Sequence, residues 1–303
     1  EPTANLDPQG VLDVVAAVTR VVNETGCTLI VIDHNPAPWV DLLTRVLALD
    51  SSGGLASESS HYPHAHRARV PVPRVHGDVV MSTVNLAVGR RGQPAIAVPD
   101  LTLRAGTITA LTGVNGSGKS TLSLTLGGLL APQSGQIIVG SAMSHGLRAR
   151  HVPSPHRWSA HALVRRVGSV FQSPENQFVQ PTARAEVALG LRVTGVNRQE
   201  TTEHVQSRLS LMGLADLAGA HPFTLSGGQK RRLALVSATV TQPHLVIVDE
   251  PTFGQDDDSW ADVVSLLDEL ARAGSAVVVA THDPDLLAVV DDIVTLQTRA
   301  TIS

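Results

Sequence analysis

Apolar residues recur at two different periods along this chain, and the alternation between them lays out its elements. Val11, Val15, Val18 and Val22 stand at helical spacing, and the β-branched run Thr28 to Asp33 then predicts a buried strand. Pro36 and Pro38 interrupt the chain, a short helical stretch follows, and Arg45 to Leu49 reads as another strand. From Ser51 to about His76 the composition shifts to Ser, Gly, Pro and His, which marks a linker. Beyond Val79 short apolar strands are predicted at Ile108 to Leu111, Val167 to Phe171, Leu245 to Asp249, Ala276 to Ala280 and Ile293 to Leu296. Helical patterns lie between them, one over Ser120 to Leu130 and another through Trp260, Val263, Val264, Leu267 and Leu270 with Gly274 as its stop. Strands alternating with helices imply an α/β fold with a mostly parallel sheet covered on both faces.

Internal repetition changes the reading of the first fifty residues. Glu1-Pro2-Thr3 is echoed by Glu250-Pro251-Thr252, and Asp7 by Asp256, at an offset of 250 − 1 = 249 residues. Leu29 to His34 corresponds to Val277 to His282 after one residue of slippage. A repeat of that length is a domain rather than a solenoid unit. Residues 1–50 therefore read as the end of one domain, 51–78 as a linker and 79–303 as a whole second copy. On this reading the chain starts mid-motif and is a fragment.

Composition narrows the classes. With 43% apolar and 17% charged residues, the 303-residue chain is not disordered as a whole. No stretch approaches the ~18 apolar residues of a membrane span. No secretion leader is visible, and the single cysteine, Cys27, fits a reducing compartment. A net charge of −4 argues against nucleic acid as a partner. Only two of the 23 basic residues are lysine, Lys119 and Lys230.

Lys119 closes the run Gly113-Val-Asn115-Gly116-Ser117-Gly118-Lys119-Ser120-Thr121, set between a predicted strand and a predicted helix. This is the pattern of a phosphate-binding loop. Its glycines turn backbone N–H groups inward at a helix N-terminus, its lysine reaches terminal phosphates, and the Ser120 hydroxyl suits Mg²⁺. Leu245 to Asp249 ends in two carboxylates, Asp249 as a Mg²⁺ anchor and Glu250 as a base that polarises water. Alone, such a strand end is as often a simple helix cap. Leu225-Ser226-Gly227-Gly228-Gln229 decides between them, since a fixed pentapeptide arises by chance in only about a few chains in ten thousand.

With the loop and this pentapeptide in hand, the chain resembles the ATP-binding-cassette ATPases, whose signature is that pentapeptide. The resemblance implies a P-loop NTPase core with antiparallel β and helical subdomains. It implies ATP and Mg²⁺ as cofactors, with Gln172 as the Q-loop residue, at the metal together with Ser120 and Asp249. Asp256 becomes the D-loop residue and His282 the switch histidine beside catalytic Glu250. It also implies head-to-tail pairing with a second cassette, so that Ser226, Gly227, Gly228 and Gln229 face ATP held by the opposite loop. Glu1, Asp7 and His34 are then the matching parts of the first-cassette remnant. The family's adenine-stacking aromatic is missing, because Val88, Gly89, Arg90 and Arg91 occupy its place; arginine stacking is the substitute. Gln255 stands where many members have Leu.

The stretches Phe171-Gln172-Ser-Pro-Glu-Asn-Gln177-Phe178, Glu186-Val-Ala-Leu-Gly190 and His221-Pro-Phe-Thr are similar to the ATPases of energy-coupling-factor importers for vitamins and transition-metal ions. That likeness implies a transmembrane coupling subunit and a substrate-binding membrane subunit as partners. It also implies a peripheral position on the cytoplasmic face of the membrane. The alternative is a soluble twin-cassette protein acting on ribosomes or DNA. Such proteins favour basic linkers, zinc cysteines or coiled coils, whereas this linker holds only Arg67, Arg69 and Arg74. His61, His64 and His66 in the linker invite a metal, although solvated His-rich linkers are the commoner case. His145, His151, His156 and His161 have no assigned role.

Overall fold

The computed structural model describes residues 2–3, 6–33, 36–49, 54–59, 74–90, 92–147, 154–255 and 257–297. They fall into two compact units, Glu1–Arg69 and Val70–Ser303.

The first unit holds α1 (Pro8–Thr25), a 3-10 turn at Ala37–Trp39 and a hairpin of β1 (Val46–Leu49) and β2 (Leu55–Ser59). The valine spacing forms α1 as expected. Asp7 accepts from the Gly10 N–H as its N-cap, Pro8 opens its first turn, and Gly26 at φ 63° ends it. Strand β2 lies inside the stretch read as linker and pairs antiparallel with Val46 to Leu49, with a register shift between Ala48 and Leu49. Of the remnant residues, Asp7 is the helix cap, while Glu1 and His34 lie outside the described residues, as do Asp256, His61, His64 and His66.

The expected strand at Thr28 to Asp33 is not formed. A strand that is apolar on both faces needs a neighbour on each edge and a layer above and below. None of the described strands of this unit pairs with it, and Ile30 and Ile32 stand 84% and 79% exposed. The same pattern at Ala276 to Ala280 lies between two strands and is fully buried. Asp33 instead accepts from the Thr3 hydroxyl at 2.7 Å and from the buried Trp39 indole at 3.2 Å.

The second unit begins with β3 (Val79–Val88), β4 (Ile96–Ala97), β5 (Thr102–Arg104), β6 (Ile108–Thr112), α2 (Lys119–Leu126) and β7 (Ser134–Val139). Then come α3 (Ser141–Ser144), α4 (Ala160–Val164), β8 (Val167–Val170), α5 (Ala183–Thr194), α6 (Arg198–Leu211) and α7 (Gly227–Thr239). It closes with β9 (Leu245–Asp249), α8 (Asp257–Arg272), β10 (Ala276–Ala280), α9 (Pro284–Leu287) and β11 (Asp292–Thr295). The parallel sheet runs β11-β6-β10-β9-β8. A separate antiparallel sheet places β3 between β7 on one side and β4 and β5 on the other.

The inner strands β9 and β10 are buried along their whole length because both of their faces are covered. Val246, Val248, Val277 and Val279 face a core built with α5, α6, α7 and α8. Leu245, Ile247, Ala276, Val278 and Ala280 face the other core, with Leu122 and Leu126 of α2 and Met81, Val88 and Leu103 of the antiparallel sheet. The helix after the phosphate loop stops at Leu126, four residues short of the expected Leu130. Gly128 sits at φ 76°, where an added Cβ would lie 2.9 Å from the Pro155 backbone.

Arg74, expected in the linker, is part of the second unit. Its guanidinium binds Asp268 at 2.9 Å and Asp291 at 2.8 Å, and its side chain is 5% exposed. Asp291 also accepts from the Ile108 N–H at 2.7 Å, so this cluster ties the chain entering the unit to the start of β6. Removing one partner of a buried pair leaves the others uncompensated. Arg74→Ala should therefore destabilise the unit by about 2–4 kcal/mol, read as a lower denaturation midpoint at unchanged slope.

Candidate functional site

The carboxyl ends of β6, β9 and β10 lie side by side, and the turns that leave them bring the chemistry together. The turn after β6 carries Gly113, Asn115, Gly116, Ser117 and Gly118 into α2. Gly113 has φ 133°, and a Cβ there would stand 2.4 Å from the Leu296 carbonyl, so no other residue fits. Gly118, at φ 101°, is the N-cap of α2, with Ile96 packed against it. Lys119 is buried inside this turn, its ammonium donating to the carbonyls of Gly113 (2.6 Å) and Val114 (3.2 Å). A compact ammonium fits there where a planar guanidinium would not. Thr121 lies in the first turn of α2.

Ser120 donates its hydroxyl to Asp249 at 2.7 Å across 129 residues of sequence. Burial pushes the Asp249 carboxyl up, opposed by the Ser120 bond and by the charges of Lys119, Arg231 and His282. Glu250 follows at φ 50°, a conformation that costs a non-glycine residue about 1–3 kcal/mol. Its N–H donates to the Ala280 carbonyl at 2.8 Å, while its carboxylate accepts from the Thr281 hydroxyl at 3.2 Å and from the His282 backbone. Burial, then the neighbouring Asp249 charge, pushes the Glu250 carboxyl up to about 7. The oxygen pair on Ser120 and Asp249 is the hard donor set that suits Mg²⁺.

Ser226 caps α7 in a reciprocal box, its hydroxyl accepting from the Gln229 N–H while the Gln229 side chain accepts from the Ser226 N–H. The first glycine, Gly227, has open space beside it, and Gly228 lies over the buried Gln255. The Arg232 guanidinium donates to Gln255 at 3.1 Å, so this Gln joins the loop after β9 to the signature helix.

Gln172 is exposed two residues past the end of β8, and its backbone carbonyl accepts from Arg231. Its loop is braced by Gln177, which accepts from the Phe171 N–H at 2.9 Å and donates to the Ser169 carbonyl at 2.7 Å. Buried Glu186 accepts from the N–H groups of Val179 and Gln180, fixing the next stretch onto α5. At the expected adenine-stacking position, a Cβ on Gly89 would lie 2.4 Å from the Gln133 amide, which donates to the Arg90 and Gln93 carbonyls. That amide fills the space an aromatic ring would need. Arg90 is exposed and Arg91 lies outside the described residues. Among the described residues no three His, Cys, Asp or Glu side chains are grouped to hold a metal, so His145, His156 and His161 do not converge.

Two residues at the site stand outside the sequence motifs: Thr281, the partner of Glu250, and Arg231. The first had a visible signal in its place beside His282. The second had none, because its contacts depend on loops 59 and 22 residues away.

A phosphate loop before a helix, two carboxylates at the end of a neighbouring strand and a capped signature helix together define a P-loop NTPase of the cassette type. Residues 97–253, just over half of the chain, match the family described as ABC transporter, and the chain belongs to that family. It is 30% identical over 329 residues to YkoD of Bacillus subtilis (strain 168), named for HMP/thiamine import, covering 95% of this chain and 57% of that protein. It is 38% identical over 196 residues to the energy-coupling factor transporter ATP-binding protein EcfA2 of Streptococcus sanguinis, covering 64% of this chain and 68% of that one. The solved structure of CbiO1 from Clostridium perfringens, part of the cbiONQ transporter complex, superposes with a TM-score of 0.59. That match has 27% identity and covers 72% of this chain and 85% of the other. The chain spans 54–57% of the length of the curated relatives that match nearly all of it.

Because the Glu250 carboxyl is pushed up to about 7, the folded chain holds that proton more tightly than the unfolded chain does. Stability contributed at this residue is thus lost as pH rises from the ordinary carboxylate range through about 7, amounting to about 3 kcal/mol. Glu250→Gln should melt above the parent by about 5 °C at pH 8, and the gap should close towards pH 5. Thermal scans across that range check it.

Proposed function

We propose that this chain is the ATP-hydrolysing part of a twin-cassette subunit that energises a membrane importer of the energy-coupling-factor type. The convergence of Lys119, Ser120, Asp249, Glu250, Thr281 and His282 at the carboxyl end of the parallel sheet carries this reading. The inward N–H groups of Gly113 to Ser120 and the Lys119 ammonium would bind the β- and γ-phosphates. Ser120 and Asp249, with Gln172, would hold Mg²⁺, which neutralises charge on the transferring phosphoryl group. Glu250 would orient the attacking water and take its proton, a role suited to a carboxyl near 7. His282 would contact the γ-phosphate.

The capped N-terminus of α7, with its open glycine, suits Ser226 to Gln229 to close over ATP held by another cassette. The repeated Glu-Pro-Thr and His segments of residues 1–50 support an upstream cassette in the same protein, and so does the chain's share of its relatives' length. The name of YkoD supports an importer of a thiamine-type vitamin, and that of EcfA2 supports the energy-coupling-factor class. Transition-metal ions as cargo, and a coupling subunit and a substrate-binding subunit in the membrane, rest on the sequence resemblance. Among the described residues no helix is long and apolar enough to cross a membrane, which supports peripheral attachment through those partners.

In the full-length protein, Glu250→Gln should still bind ATP while phosphate release at that site slows by about a hundredfold or more. Steady-state assays with the other site disabled check this, and undiminished release would remove Glu250 from the mechanism. Fractionation with and without co-expressed membrane subunits tests the attachment, because equal membrane recovery in both cases would overturn it. The 303-residue chain holds one phosphate loop and one signature, both in the same cassette. Its specific ATPase activity should therefore rise with concentration, and a concentration-independent rate equal to the full-length protein's would refute the composite site.

A further inference from the structure

One half-buried guanidinium joins three segments that the proposed mechanism uses separately. Arg231 lies five residues past Ser226 on α7, so about 7 Å of rigid helix separates it from the signature cap. Its Nη1 donates to the Phe253 carbonyl and its Nη2 to the Gln172 carbonyl at 3.4 Å, and its guanidinium stacks 5.2 Å from the centre of the Phe253 ring. Phe253 closes the turn that starts at Glu250, since the Phe253 N–H donates to the Glu250 carbonyl at 3.4 Å. The strained Glu250 conformation therefore has an outside brace: Arg231 fixes the far end of the turn, and Ala280 fixes the near end. Its Nε–H is buried without a hydrogen-bond partner among the described residues. Burial lowers its pKa against the opposing pull of Glu250, Asp249 and Glu175, so the charge sits among the site's carboxylates.

We propose that Arg231 is a positioning residue, through which the signature helix and the Gln172 loop set the geometry of the turn that carries Glu250. The inference rests on the ATPase reading above. It makes the placement of Glu250 depend on where α7 stands, so closure of the signature over one nucleotide would adjust the water-orienting carboxylate at the other.

The test is steady-state ATP hydrolysis by the full-length protein with Arg231→Met and Arg231→Lys, each alone and combined with Glu250→Gln. Arg231→Met should lower kcat about tenfold while KM for ATP stays within about twofold. Arg231→Lys keeps the charge and one donor, and should recover at least about a third of the parent rate. In the Glu250→Gln background Arg231→Met should have no further effect, as expected when one residue acts through the other. An unchanged kcat in Arg231→Met overturns the proposal. So does an equal loss from Arg231→Met with and without Glu250, or a Lys variant as impaired as the Met variant. If Arg231→Met does not fold, the Lys variant and its Glu250→Gln double decide by the same criteria. A parent protein that hydrolyses no Mg-ATP would instead overturn the ATPase reading itself, which separates the two failures.

Discussion

Two adjacent carboxylates at the buried end of one strand set the terms for the groups around them. Asp249 and Glu250 repel each other and lose hydration together, so each needs donors that water would otherwise supply. Ser120 supplies one from the helix after the phosphate loop, and Thr281 supplies another from the turn after β10. Lys119 adds a positive charge from beneath the loop, and Arg231 adds a second from the signature helix. The parallel order of β6, β10 and β9 is what lets three distant segments reach the same pair. A different strand order would bury the charges without their partners.

The strain at Glu250 belongs to the same economy of placement. Its backbone is left-handed, and neighbours on both sides of the turn hold it there. The charge lowers stability where the chemistry wants it, in keeping with the general pattern that such strain collects at functional sites. The antiparallel sheet and the helices on the other face supply the apolar cover that offsets it.

The two copies of one apolar pattern show what a sequence can leave open. Ala276 to Ala280 and Thr28 to Asp33 have the same β-branched character, yet only the first is a strand. Hydrogen-bonding neighbours on both edges make the difference. Arg74 gives a second case, because a lone arginine among Pro, Ser and His reads as solvated linker until Asp268 and Asp291 are placed beside it.

The sequence by itself determined the parallel α/β core, through short apolar strands with caps and glycines between them. It also determined the local chemistry of the phosphate loop and the signature cap, because those depend on residues within a few positions of one another. Tertiary structure alone decided the pairing of Ser120 with Asp249, the upward push on Glu250, and the filling of the Gly89 position by Gln133. It alone placed Arg231 of α7 against the Gln172 and Phe253 loops. Local spacing encodes helices, turns and caps, whereas desolvation and long-range hydrogen bonds come into being only when distant segments are brought together.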